Sequence, residues 1–214
     1  MSSDTVYRLH ESLQIAAIYP PYIMVGWSWG SIDVQNFVLS YMDEVVGMMT
    51  LDGTDSGYAF DPANPPTASY ATGLVENFLQ LPTAVLQGAA DAGQIPLVFG
   101  YFQPSDNLPA TAKSASNQWY VTSKTLTTIL QELQIMIPSA NVLNSTYISK
   151  GTSKPLSNMP FVALTADANG ADWISRQNTL VSLSSNSIHL HTNASHFIPL
   201  EEPRWSCQCL QAAA

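Results

Sequence analysis

The chain has 214 residues, 46% of them hydrophobic and 11% charged, with a formal net charge of −9. That length fits one domain with a sizeable core, and that composition excludes an intrinsically disordered chain. Seven Lys and Arg against sixteen Asp and Glu leave no basic cluster, so nucleic acid and anionic membrane surfaces are poor partners.

Residues 5–17 place Val6, Leu9, Leu13 and Ala16 or Ala17 on one helical face, and Tyr19-Pro20-Pro21 ends that helix. Tyr22–Gly26 is an apolar run of strand length, as in a buried parallel strand. Residues 29–41 return to helical spacing through Ile32, Asn36 or Phe37, and Tyr41, and Glu44–Asp52 reads as a second buried strand. Residues 53–66 are loop by composition. From 67 to 137 the pattern is mostly helical, broken at Pro82, Pro96, Pro104 and Pro109; its best helix is about 115–135, with Ser114 or Ser116 as N-cap. Residues 138–159 are polar and read as a linker. Pro160–Ala166 is a third buried strand, 172–183 a helix, and Ser187–Thr192 alternates like a strand. Helices and strands in alternation predict an α/β class with a mainly parallel sheet and flanking helices. No apolar run reaches transmembrane length, and the N-terminus has no signal-peptide pattern. Compartment and oligomeric state stay open. Cys207 and Cys209 are too few for a disulfide framework or a zinc site. Asn144 and Asn193 fit the glycosylation sequon, a match common by chance.

The chemistry centres on Gly26-Trp27-Ser28-Trp29-Gly30. A serine that is to act as a nucleophile must stand clear of the sheet, and a tight strand-to-helix turn presents it. Such a turn crowds the residues two before and two after, and glycine at both places relieves the clash. The following helix points its N-terminal amides at the serine, where they can stabilise an oxyanion.

The stretch Tyr22–Asp55, with its strand, G-x-S-x-G turn, helix and next strand ending in Asp52, resembles the nucleophile region of the α/β-hydrolase superfamily. His191–Pro203, "HTNASHFIPLEEP", resembles the segment that carries the catalytic histidine there, and "PFVALTA" the strand after the cap. The resemblance runs from about Thr5 to Pro203. It implies one domain over 1–214, with a core at 5–55 and 159–205 and a helical cap insertion at about 60–158. His often stands where this chain has Trp27. On this resemblance Trp27 packs under the elbow, while Trp29 supplies a backbone N–H to the oxyanion and an apolar wall. Superfamily members carry several strands before the nucleophile, and a loop, often His-Gly, that gives a second oxyanion amide. Only 27 residues precede Ser28 here and no His-Gly occurs, so the resemblance implies a partial fold, truncated at the N-terminus, with reduced turnover or none.

Serine needs a base within hydrogen-bond reach. His10 lies on the first helix, and His189 and His191 share one face of a strand as structural or surface residues. His196 follows that strand in a loop, in the chain order Ser…His of the superfamily. The acid has three candidates: Asp52 first, then Asp167, then Asp172. Asn169 falls about where the superfamily usually carries its acid, and an amide cannot supply the charge. Some lipase-like members take the acid from the strand that here ends at Asp52. Asp55, Asp61 and Asp91 read as solvated loop or cap residues.

No metal-ligand constellation, phosphate-binding loop or dinucleotide fingerprint is present, and no cofactor is expected. The apolar content of the cap, including Phe78, Leu86, Phe99 and Phe102, suggests a small apolar ester or acyl substrate. The expected activity is therefore a serine esterase working through an acyl-enzyme. The alternative is a catalytically impaired or non-catalytic remnant that binds a small apolar ligand.

Overall fold

The computed structural model describes residues 2–57, 92, 108–114, 128 and 138–203. The chain divides into two compact units: Met1–Phe60 with Ile137–Ala214, and Asp61–Met136. The second unit ends at Met136; the sequence expectation puts the end of a cap insertion at about 158. Within the second unit, residues 110–114 are helical, so Ser114 lies inside a helix and does not cap one. Of the helix read at 115–135 only residue 128 is described, and it is helical; the apolar cap residues, Asp61, Asp91 and both cysteines lie outside the described residues.

The first unit runs α1 (Ser2–Ile15), β1 (Tyr22–Trp27), α2 (Gly30–Ser40), β2 (Val45–Leu51), a helix α3 over 138–149, β3 (Phe161–Ala166), α4 (Ala171–Ser182), β4 (Ser187–Thr192) and the short α5 (Ile198–Glu201). The four strands are parallel and lie in chain order, β1-β2-β3-β4. Crossovers between parallel strands are right-handed, so strands laid down in sequence order place their helices on one face. Tyr22, Val45, Met48, Phe161 and Ala163 meet Val6 of α1, Val34, Phe37 and Val38 of α2, and Leu180 of α4 in a single apolar cluster. Met49, Leu51, Val162, Leu164 and Ala166 point to the other face, where Ala194 and Ile198 pack on them.

β2 and β3 are buried on both faces and read as unbroken apolar runs, whereas β1 at the margin of the described sheet alternates. Phe37 is fully buried between Tyr22 and Tyr41. Removing such a ring from water contributes about 1.5–3 kcal/mol. Residues 138–149 are helical, which corrects the linker reading. Ala140 and Leu143 bury against Ile32, and the Tyr147 hydroxyl donates to Gln35 Oε1 at 2.7 Å. Burial pushes the Tyr147 phenol far above its ordinary range.

Candidate active site

β1 ends at Trp27 and α2 begins at Gly30, so Ser28 and Trp29 make the whole turn. Ser28 sits at φ 52°, in the left-handed region that costs a residue with a Cβ about 1–2 kcal/mol. Three backbone bonds hold it there. Its N–H donates to Leu51 O at 3.0 Å, and its carbonyl accepts from Ser31 N–H at 3.1 Å and Thr54 N–H at 3.0 Å. A Cβ on Gly26 would stand 2.7 Å from Gly30 O and from Ser31 Cα. A Cβ on Gly30 would meet nothing within 4 Å among the described residues. Among these residues only the first of the two glycines is a steric necessity, because the helix start passes over Gly26 and nothing described crowds Gly30.

Asp52 leaves β2 by a second left-handed residue, at φ 48°. Its side chain is fully buried and accepts four hydrogen bonds. Oδ1 takes Ala166 N–H at 3.0 Å and Trp173 Nε1–H at 2.6 Å; Oδ2 takes Asn169 Nδ2–H at 2.6 Å and His196 Nδ1–H at 2.5 Å. A buried carboxylate is tolerable only with such compensation. With Nδ1 donating, the neutral imidazole keeps Nε2 as an acceptor, and Nε2 lies 2.8 Å from Ser28 Oγ. The hydroxyl, the carboxylate and the ring come from the ends of β1 and β2 and the loop after β4, all at the C-terminal end of the parallel strands.

Of the three acids the sequence leaves open, Asp52 is the one in contact with His196. Asp167 instead accepts from His191 Nδ1 at 2.7 Å, and Asp172 is exposed in the first turn of α4. Asp55 is buried 3.4 Å from Arg176, which corrects its reading as a solvated residue. His10 packs on Tyr41 and meets Glu44 at 2.9 Å, tying α1 to the turn before β2. His189 lies between Thr165 Oγ1 and Asn178 Oδ1, and burial pulls its pKa below the usual imidazole value. Trp29 has helical φ and ψ one residue ahead of α2, and its ring packs on the cluster of Ile32, Ala140 and Leu143. The ladder of α2 opens with Ser31 and Ile32 as donors, so the Trp29 N–H stands upstream of it, next to Ser28 along the chain.

No protein-family model and no curated protein sequence matches the chain. Solved structures do. A variant of a protein described as an epoxide hydrolase from Pseudomonas aeruginosa aligns with 99% of this chain and 71% of its own, at TM-score 0.76 and 12% identity. A protein described as an α/β hydrolase from Nostoc sp. PCC 7120 aligns over 98% and 70%, at 0.65 and 12%. The epoxide hydrolase CorEH aligns over 96% and 71%, at 0.64 and 16%. The chain has a partial α/β-hydrolase fold, spanning about 70% of these neighbours' length.

Within this α/β-hydrolase fold, three supporting residues escape a reading of the sequence. Trp27 does not pack under the elbow. Its indole is 38% exposed, lies over His196 and Phe197, and donates from Nε1 to His196 O at 2.7 Å. Asn169 and Trp173 hold the carboxylate of Asp52. An alternating strand pattern puts Trp27 on the same face as Ile23 and Val25, which was the available clue; nothing in the spacing of Asn169 or Trp173 points to residue 52. A further clasp fixes the histidine loop. Ser195 gives both its N–H and its hydroxyl to Glu201, which holds that carboxyl below its ordinary pKa. Trp27→Phe keeps the ring and removes the donor to His196 O. The expected result is a three- to tenfold slower Ser28 reaction with a fall in melting temperature of no more than about 2–4 °C, since one neutral hydrogen bond is worth about 1 kcal/mol. Single-turnover labelling of Ser28 beside a thermal melt measures both.

Proposed function

We propose that this chain is a serine hydrolase that cleaves a carboxylic ester or related acyl bond through an acyl-enzyme. The observation that carries the reading is the continuous hydrogen-bond path from Ser28 Oγ through His196 to Asp52, at 2.8 and 2.5 Å. Ser28 Oγ attacks the carbonyl carbon and His196 Nε2 takes its proton. The negative charge that moves to the carbonyl oxygen is met by the Trp29 N–H at the head of α2. As the tetrahedral intermediate collapses, the leaving alkoxide departs with the proton from His196. Water then repeats the sequence on the acyl-enzyme, giving up a proton to His196, and the acid leaves while Ser28 is reprotonated. Asp52 stays ionised, fixes the Nδ1–H tautomer and steadies the imidazolium. The route calls on no cofactor, and the substrate class is a small apolar ester.

Two of the structural neighbours are described as epoxide hydrolases. A hydroxyl nucleophile suits epoxide hydrolysis poorly. Serine opening an epoxide forms an ether, and an ether offers water no carbonyl to attack, so turnover would stop after one event. A carboxylate nucleophile would form a hydrolysable ester, but residue 28 is serine.

Treatment with a fluorophosphonate probe, alongside turnover of a p-nitrophenyl ester series, tests the proposal. The expected result is labelling and turnover that both fall by at least about 10³-fold in Ser28→Ala. A wild-type chain that neither labels nor turns over any ester sinks the reading, and binding of apolar ligands without chemistry takes its place.

A further inference from the structure

We propose that Asn169 is a positioning residue that fixes the orientation of Asp52; its consequence for the rate rests on the serine-hydrolase reading, but its physical signature does not. A carboxylate offers about four lone-pair sites, two on each oxygen. In Asp52 all four are used, and the two bonds to Oδ2 are those from Asn169 and His196. The amide therefore shares an oxygen with the imidazole and limits where that oxygen can lie. Without it, Oδ2 keeps one protein bond, and because Asn169 is itself exposed the vacated site opens to water, which holds the oxygen less firmly, so rotation of the carboxylate about its own axis costs less.

The support for Asn169 is itself rigid. The residue closes a 3-10 turn, Asp167–Asn169, in which Gly170 N–H returns to Asp167 O at 3.1 Å. Gly170 follows at φ 87°, a conformation that glycine adopts without strain. The start of the turn is pinned from β4 by His191, at 2.7 Å from Asp167. Trp173, one turn into α4, holds the other oxygen of Asp52. The end of β3 and the start of α4 thus form a cradle for an acid delivered by β2. The chemistry also says why the residue is an amide. A carboxylate in its place would stand 2.6 Å from Asp52 Oδ2, and two carboxylates so close cannot both ionise.

The test follows the His196 Nδ1 proton by NMR in the whole chain across pH, in wild type, Asn169→Leu and Asn169→Asp. The titratable groups around residue 169 are Asp52 and His196 opposite it, Asp167 on its own turn with His191 and then His189 from β4, and Asp172 on α4. Wild type is expected to show a strongly deshielded, slowly exchanging proton. N169L loses it at every pH, with exchange at least about tenfold faster and Ser28 labelling slower by a similar factor. N169D keeps it at neutral pH, where the two close carboxyls share one proton that donates to Oδ2, and loses it as the pH rises and that proton leaves, above the ordinary carboxylate range. A merely structural role would not produce that alkaline loss. Wild-type proton position and exchange in N169D throughout the range overturn the proposal, and because N169D is isosteric it decides the matter even if N169L does not fold. Absence of wild-type Ser28 labelling, with the proton behaving as described, would instead sink the hydrolase reading and leave this one standing.

Discussion

Asp52→Asn should slow Ser28 acylation by about 10⁴-fold, the scale seen when the orienting acid of a serine nucleophile becomes an amide. The size follows from the four donors around the side chain. An amide nitrogen at either position meets donors where acceptors are required, so the variant loses the charge, the tautomer of His196 and part of the cradle together. Leaving one such buried group unpaired costs about 1–3 kcal/mol of stability as well. Asp167→Asn and Asp172→Asn are the matched controls. Asp172 is a surface residue away from His196, and its change should alter the rate by less than roughly threefold; Asp167→Asn loosens the His191 contact behind Asn169 and should cost no more than roughly tenfold. Stopped-flow acylation with an activated ester, with thermal melts of all three variants, makes the comparison. Equal losses in Asp52→Asn and Asp167→Asn would remove Asp52 from the role proposed for it.

The second large effect concerns folding. Gly26→Ala is expected to destabilise the chain by about 3 kcal/mol, because the new methyl would lie 2.7 Å from Gly30 O and Ser31 Cα, and backbone cannot step aside as a side-chain tip can. For a chain of this size that is a fall of roughly 6–12 °C in melting temperature. Gly30→Ala has open space among the described residues and gains helix propensity, so its melting temperature should hold or rise, by the equivalent of about 0.5–1 kcal/mol. Differential scanning calorimetry of the two variants decides the point. Equal destabilisation would mean that the turn is tighter at Gly30 than its surroundings allow.

The elements that carry the site were legible because their signals are local. The apolar runs at Glu44–Asp52 and Pro160–Ala166 mark parallel strands covered on both faces; the run at Tyr22–Gly26 reads the same way in sequence but leaves Ile23 and Val25 exposed, and the G-x-S-x-G turn joins it to a helix. Long-range partners leave no such mark. Asn169 looks like a defect in sequence, an amide where an acid is usual, and is a donor to an acid 117 residues earlier. The helix over 138–149 reads as a linker because its buried apolar stripe is narrow, little more than Ala140, Leu143 and Tyr147, among many polar residues. A rule drawn from the turn itself misjudged Gly30, since crowding depends on where the helix axis leaves the sheet, and local sequence does not encode that angle.

Ser28 and His196 are 168 residues apart, and every described strand of the sheet precedes the histidine. On a ribosome, then, the hydroxyl emerges well ahead of the imidazole. On the serine-hydrolase reading, the nascent polypeptide carries an ordinary alcohol at residue 28 until residue 196 has been synthesised and has docked, and cellular acyl donors meet no activated nucleophile before that point.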